Sequence, residues 1–154
     1  MRHLPMLAAS AVLAAHVAGP AAAADNIATV TAIYAAFGAG DVPAILAELA
    51  DDVEWDYGHE GTAVPILVPR HGPAEVAAFF ESLAGVEFRK FAILNMLEGG
   101  DQVAVVVDFD LVVRATGRAV ADQEMHLWTF GADGKVTHFR HFVDTEAFAA
   151  AFAD

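Results

Sequence analysis

The chain has 154 residues, enough for one ordinary domain, with 21 acidic against 8 basic residues and a formal net charge of −13. A chain this acidic is repelled by nucleic acid and by anionic lipid, and it carries no stripe of Lys and Arg to argue otherwise. It has no cysteine, which excludes thiol catalysis, Cys-ligated metal and disulfides.

The first element is a leader. Met1-Arg2-His3 is a short basic start, and Leu4 to Val17 is almost wholly apolar, interrupted by Pro5, Ser10 and His16. Ala22-Ala23-Ala24 then offers a small-x-small cleavage site before Asp25. This order predicts a secretory signal over residues 1–24, with the folded domain over residues 25–154. The apolar run falls short of the roughly 20 residues that span a bilayer, and Gly19-Pro20 closes it. The expected product is exported, periplasmic or secreted, with no membrane attachment once the signal is cleaved.

Ile27, Val30, Ile33, Tyr34 and Phe37 recur at helical spacing, and Gly38 and Gly40 stop that helix. Asp41 caps a second helix with Pro43 in its first turn, predicted to run to about Ala50, where Asp51-Asp52 breaks it. Val53 to Tyr57 alternates as a short strand, and Gly58 to Gly72, with Pro65 and Pro69, reads as a loop. Pro73 opens a third helix that carries Val76, Phe79, Phe80 and Leu83 inward. Four strands follow, at Val86 to Leu97, Val103 to Ala115, Ala119 to Phe130 and Val136 to Val143. Asp144-Thr145 caps a last helix through Phe148 and Phe152.

This order predicts the α+β class, a long curved sheet with its helices gathered on one face. Val107, Phe109, Leu111 and Val113 share one face of their strand, while Asp108, Asp110 and Arg114 share the other. A curved sheet with covered apolar face leaves a pocket beneath the helices.

Several segments in this order resemble the SnoaL-like branch of the NTF2-like superfamily, which includes ketosteroid isomerases and polyketide cyclases. They are Tyr34 to Asp41, Ala50 to Trp55, His71-Gly72-Pro73 running into Val76 to Phe80, His126 to Phe130, Asp133 to Val136 and Arg140 to Asp144. The resemblance implies a half-open cone, a curved antiparallel sheet with helices packed on its concave face. It also implies a homodimer paired through the outer face of the sheet, where Val112 and Phe142 mix with Asp108, Asp110, Arg114 and Arg140. The fold hosts isomerases, cyclases, hydrolases, dehydratases and non-enzymatic binding domains, so it does not choose among them.

Ketosteroid isomerases use a carboxylate base at the end of the first strand, an acid and tyrosines. By resemblance the base position falls at Asp56 or Tyr57, and the acid position on His126. The tyrosine positions fall on Phe80 and on Ile33, beside Tyr34. Only part of that constellation is present, which counts against a steroid isomerase and leaves acid–base chemistry open.

Strand parity supplies the rest of the expected site. If Trp55 faces the pocket, Val53 and Tyr57 do too, while Glu54 and Asp56 face away unless a bulge turns them. His126 shares a face with Glu124, Trp128 and Phe130, and the resemblance places Phe139, His141 and Val143 inward, with His138, Arg140 and Phe142 outward. His126 and His141 then face one cavity from neighbouring strands. Both charged at once would repel, so one is expected to stay neutral. The candidate catalytic residues are therefore His126, His141, Tyr57 and Asp56. The candidate wall is Trp55, Tyr34, Phe80, Phe109, Leu111, Trp128 and Phe139.

No cofactor and no metal are expected. His59-Glu60 and His71 flank the loop and can cap the pocket mouth or bind a metal with His126, but no H-x-H or H-E-x-x-H spacing supports one. Arg140 is read as a partner for an outward carboxylate such as Asp110 or Glu124. Replacing His126 with Phe is expected to keep the fold, on the ground that the site is apolar. Two functions follow: proton-transfer chemistry on a small hydrophobic carbonyl compound, or non-catalytic binding of a small apolar ligand. An inward carboxylate within reach of either histidine favours the first, and histidines bonded only to backbone favour the second.

Overall fold

The computed structural model describes residues 21–153, with side chains from Asn26. Residues 1–20, most of the expected signal, lie outside the described residues. In chain order the elements are α1 (Ala21–Ala39), α2 (Val42–Leu46), β1 (Leu49–Trp55), β2 (Arg70–His71), α3 (Gly72–Ser82), β3 (Val86–Gly99), β4 (Gln102–Val113), β5 (Ala119–Phe130), β6 (Val136–Phe142) and α4 (Thr145–Phe152). Short 3-10 turns lie at Pro65–Leu67 and Leu83–Gly85. No helix among the described residues is long and apolar enough to cross a membrane.

The strands form one curved, unclosed sheet in the order β2-β1-β6-β5-β4-β3. All neighbours are antiparallel except β1 and β6, which run parallel, so the sheet is mixed where the sequence suggested a purely antiparallel one. The α+β half-open architecture is the expected one.

Alternation decides which face is buried. On β4, Val103, Val105, Val107, Phe109, Leu111 and Val113 are all buried, while the residues between them are partly exposed. On β5, Glu124, His126, Trp128 and Phe130 point the same way. Helix α1 packs over β3 and β4, α3 over β1, and α4 brings Phe148 against Phe109 with ring centroids 5.8 Å apart. The caps are where the sequence puts them. Asp41 accepts from the Ala44 amide at 3.1 Å, and Asp144 from the Ala147 amide at 2.9 Å.

The second helix is shorter than its pattern suggests. It ends at Leu46, and Asp51-Asp52 lie exposed inside β1 instead of breaking a helix. Pairing with β6 overrides local propensity there. Leu49 faces Val136, and the Val136 amide donates to the Glu48 carbonyl at 2.9 Å.

Candidate functional site

The site grows from one backbone irregularity. β1 ends at Trp55 with its indole buried, so simple alternation would send Asp56 outward. Asp56 instead has φ of +56°, the only positive value at a non-glycine among the described residues. Aspartate tolerates this left-handed conformation better than most side chains. The Asp56 amide still donates to the Phe139 carbonyl at 2.8 Å, so β6 holds the turn in place. The result is a fully buried carboxylate whose Oδ1 accepts from His141 twice, from Nδ1 at 2.7 Å and from the backbone N–H at 3.1 Å. Asp56 Oδ2 is buried with no hydrogen-bond partner among the described residues.

A second carboxylate comes from β5. Glu124 precedes His126 by two positions, so both share the inner face, and Glu124 Oε1 lies 2.8 Å from His126 Nε2. Both are buried, at 8 % and 4 % exposure. The other His126 nitrogen, Nδ1, lies 2.6 Å from the Tyr34 hydroxyl on α1, which in turn accepts from Trp128 Nε1 at 3.2 Å.

β5 and β6 pair with His126 directly opposite His141. The two imidazoles meet edge to face with centroids 4.5 Å apart. Burial alone lowers a histidine pKa. For His126 burial dominates, reinforced by the charge of His141, and its pKa falls below the usual value. For His141 burial is opposed by the charge and hydrogen bond of Asp56 and by Glu124, and its pKa rises. Burial pushes Glu124 up, but the hydrogen bond from His126 and the nearby imidazole charge outweigh it, so its pKa falls. Burial raises the Tyr34 hydroxyl, which stays protonated. The surroundings therefore favour the ionised form of Glu124, the neutral form of His126 and the protonated form of His141.

These groups open into an otherwise apolar cavity in which the centres of water-sized molecules range over about 70 Å³. All seven expected wall residues line it: Tyr34 from α1, Phe80 from α3, Trp55 from β1, Phe109 and Leu111 from β4, Trp128 from β5 and Phe139 from β6. Phe139 lies between the indoles, with centroids 4.0 Å from Trp55 and 4.3 Å from Trp128. The loop adds Ile66 and Leu67, which the sequence reading missed because an irregular segment has no periodicity to show which residues point inward.

Two expectations, for Tyr57 and Arg140, are corrected, and two open readings, for Asp56 and the loop histidines, are decided. Tyr57 does not join the wall: the left-handed turn at Asp56 ends the strand parity, and Tyr57 lies against His138 and the Arg140 guanidinium, 5.5 Å from its ring centroid. Asp56 faces the site, where parity alone turned it away. Arg140 pairs with neither Asp110 nor Glu124, because Glu124 is inside; it lies over Tyr57 and Phe142. Neither loop histidine reaches His126. His59 Nε2 bonds to the His141 carbonyl at 3.0 Å, and His71 bonds to Glu54 on the surface.

Glu124, His126 and His141 place one ligating atom each within 4.8 Å of one another, a spacing that can hold a divalent ion. Both nitrogens of His126 are already hydrogen-bonded, to Tyr34 and to Glu124, so a metal there has to displace the Glu124 contact.

A buried acid–base cluster on the inner face of a half-open sheet agrees with the sequence resemblance, and the chain belongs to the SnoaL-like domain family, whose profile matches residues 30–139. Comparison with curated proteins found no match. Among solved structures, an NTF2-like protein from Burkholderia pseudomallei is 28% identical with a TM-score of 0.72, covering 84% of this chain and 98% of that one. An NTF2-like protein from Burkholderia xenovorans is 27% identical with a TM-score of 0.73, covering 85% and 98%. TerC, co-crystallised with polyporic acid, is 27% identical with a TM-score of 0.69, covering 82% and 97%.

Proposed function

We propose that this chain is an exported enzyme that carries out cofactor-independent acid–base chemistry, of the isomerase, cyclase or dehydratase type, on a small hydrophobic carbonyl compound. The observation that carries this reading is the doubled pair: two histidines side by side, His126 buried and His141 largely so, each bonded to its own buried carboxylate. Histidines that merely fill a core bond to backbone or solvent, and they do not need two ionisable partners buried at some cost.

The groups divide by environment, as acid and base do when one site must supply both. Glu124, held ionised, takes a proton from the carbon next to the substrate carbonyl. His141, held protonated by Asp56, gives a proton to the carbonyl oxygen, and the product is the neutral enol. In each outcome the enol proton returns to His141, and the proton held by Glu124 is given up. Given to a different carbon it yields an isomer; given to a neighbouring hydroxyl as it leaves it yields water and a dehydrated product; given to the oxygen of a second carbonyl, as the enol carbon attacks it, it closes a ring. His126 stays neutral between the two, bonded to Glu124. The aromatic wall supplies the apolar contacts, and its shape suits a compact ligand. The likeness to TerC, co-crystallised with polyporic acid, supports a small hydrophobic occupant.

The test is proton exchange. The purified domain is incubated in D₂O with a panel of cyclic enones and β-hydroxy ketones, and loss of the α-proton signals is followed by NMR. The reading predicts that at least one probe exchanges faster with the wild-type protein than with the Glu124→Gln variant. A probe that binds in the pocket and exchanges only at the buffer rate would make this a binding protein.

A further inference from the structure

The hydroxyl of Tyr34 touches His126, yet the chemistry above does not use it. The hydrogen bonds around it run in one direction. Trp128 Nε1–H can only donate, and it donates to the Tyr34 oxygen. At the other end Glu124, when ionised, can only accept, and it faces His126 Nε2 at 2.8 Å. A proton must therefore sit on His126 Nε2, since a bare nitrogen lone pair against a carboxylate oxygen would repel. A neutral imidazole protonated on Nε2 has a bare Nδ1, and Nδ1 faces the Tyr34 hydroxyl at 2.6 Å. The Tyr34 proton then lies on that bond. Every donor and acceptor in the chain Trp128, Tyr34, His126, Glu124 is matched in this direction, and reversing it strands a lone-pair contact at Glu124.

We propose that Tyr34, oriented by Trp128, is a positioning residue that locks His126 as the Nε2–H tautomer and thereby holds Glu124 in place as the base. The lock spans two layers of the fold, because Tyr34 rides on α1 while the other three residues are on β5. The Tyr34 ring is nearly parallel to the imidazole, with centroids 5.9 Å apart and planes 20° apart, and meets the Trp128 indole edge-on at 5.8 Å. The hydroxyl thus sits at a fixed point beside Nδ1, where a water would be free to turn. The inference rests on the acid–base reading for its consequence, but not for its test, which needs no turnover.

The experiment is nitrogen NMR of the histidine rings in protein labelled with ¹⁵N histidine, at neutral pH, on the wild type and on Tyr34→Phe and Trp128→Phe. In the wild type, His126 should show one protonated nitrogen, Nε2, and an Nδ1 shifted by an accepted hydrogen bond. Tyr34→Phe keeps the ring and removes only the hydroxyl. It should abolish the Nδ1 shift and, with the ring now free to swing off Glu124, replace the single tautomer with a mixture. Trp128→Phe, which leaves the hydroxyl but frees its rotation, should give a partial change in the same direction. A wild-type His126 protonated on Nδ1, or a Tyr34→Phe variant with an unchanged His126 pattern, overturns the proposal. If Tyr34→Phe does not fold, Trp128→Phe decides, and an unchanged pattern there overturns it equally. Loss of the tautomer lock alongside intact proton exchange would overturn the claim that the lock holds Glu124 as the base, and would leave the acid–base role of Glu124 standing.

Discussion

His126 and His141 stand opposite each other on adjacent strands, rings at 87° and centroids 4.5 Å apart, and each is bonded to a different buried carboxylate. Two like charges at that distance in an apolar cavity are costly, so the carboxylates decide which ring carries the proton. Asp56 favours it on His141, and burial denies it to His126.

Replacing Asp56 with Asn should reverse that assignment at His141. The neutral amide no longer raises the pKa, and burial then lowers it. The stability consequence follows from the sign of the shift. In the wild type the folded pKa of His141 lies above its unfolded value of about 6.5. The stabilisation is therefore fully present below that value and is lost as pH rises through the folded pKa. Urea denaturation across this window should show wild-type stability declining with pH and Asp56→Asn declining less. Equal slopes would show that Asp56 does not govern His141.

Glu124 gives the opposite limb. Its folded pKa lies below the unfolded value, so its contribution is present above the unfolded pKa and is lost as pH falls through the folded one. Glu124→Gln should flatten the acid side of the stability profile and cost about 1.5–3 kcal/mol at neutral pH, the range for a hydrogen bond to a charged group. A variant as stable as the wild type, with the same acid limb, would contradict the pairing.

His126→Phe is a sharper case, because His126 has polar partners where an apolar surrounding was expected. An apolar surrounding would accept the ring at little cost. The actual surroundings are Glu124 on one nitrogen and Tyr34 on the other, and Phe strands both. The loss should be about 3–5 kcal/mol, the range for leaving a buried charge without its partner. A melting curve within a few degrees of wild type would show that Glu124 escapes to water.

The outer face of the sheet leads to a prediction about assembly. Phe142 is 41% exposed there, with the Arg140 guanidinium 4.8 Å from its ring centroid. We propose a twofold dimer through this face, with Val112 and Phe142 covered and charges paired across the seam. Sedimentation should give a dimer at micromolar concentration and a monomer for Phe142→Glu. A monomeric wild type at high micromolar concentration would contradict it.

Much of this was readable from residue order, and the exceptions have physical causes. Strict alternation from Val103 to Val113 and from Glu124 to Phe130 has one buried face as its only solution, so the inward set on β4 and β5 followed. Parity on β5, with the resemblance on β6, brought His126 and His141 together. It failed at Asp56 and Tyr57 because one left-handed residue shifts everything after it, and no periodicity announces such a turn. Glu124 was on the right face by parity, but its bond to His126 depends on a rotamer, which spacing does not encode. Tyr34 was readable as a wall residue, while its contact with Nδ1 depends on how α1 sits on the sheet.

The titration of the two histidines tests the central claim most directly. Ring-proton and ring-nitrogen NMR as a function of pH, assigned with the Asp56→Asn and Glu124→Gln variants, reads both imidazoles in one experiment. His141 should take up its proton above the ordinary pH of about 6.5, and His126 should stay neutral to below it. Two histidines titrating together near the ordinary value, or the proton residing on His126, would contradict it.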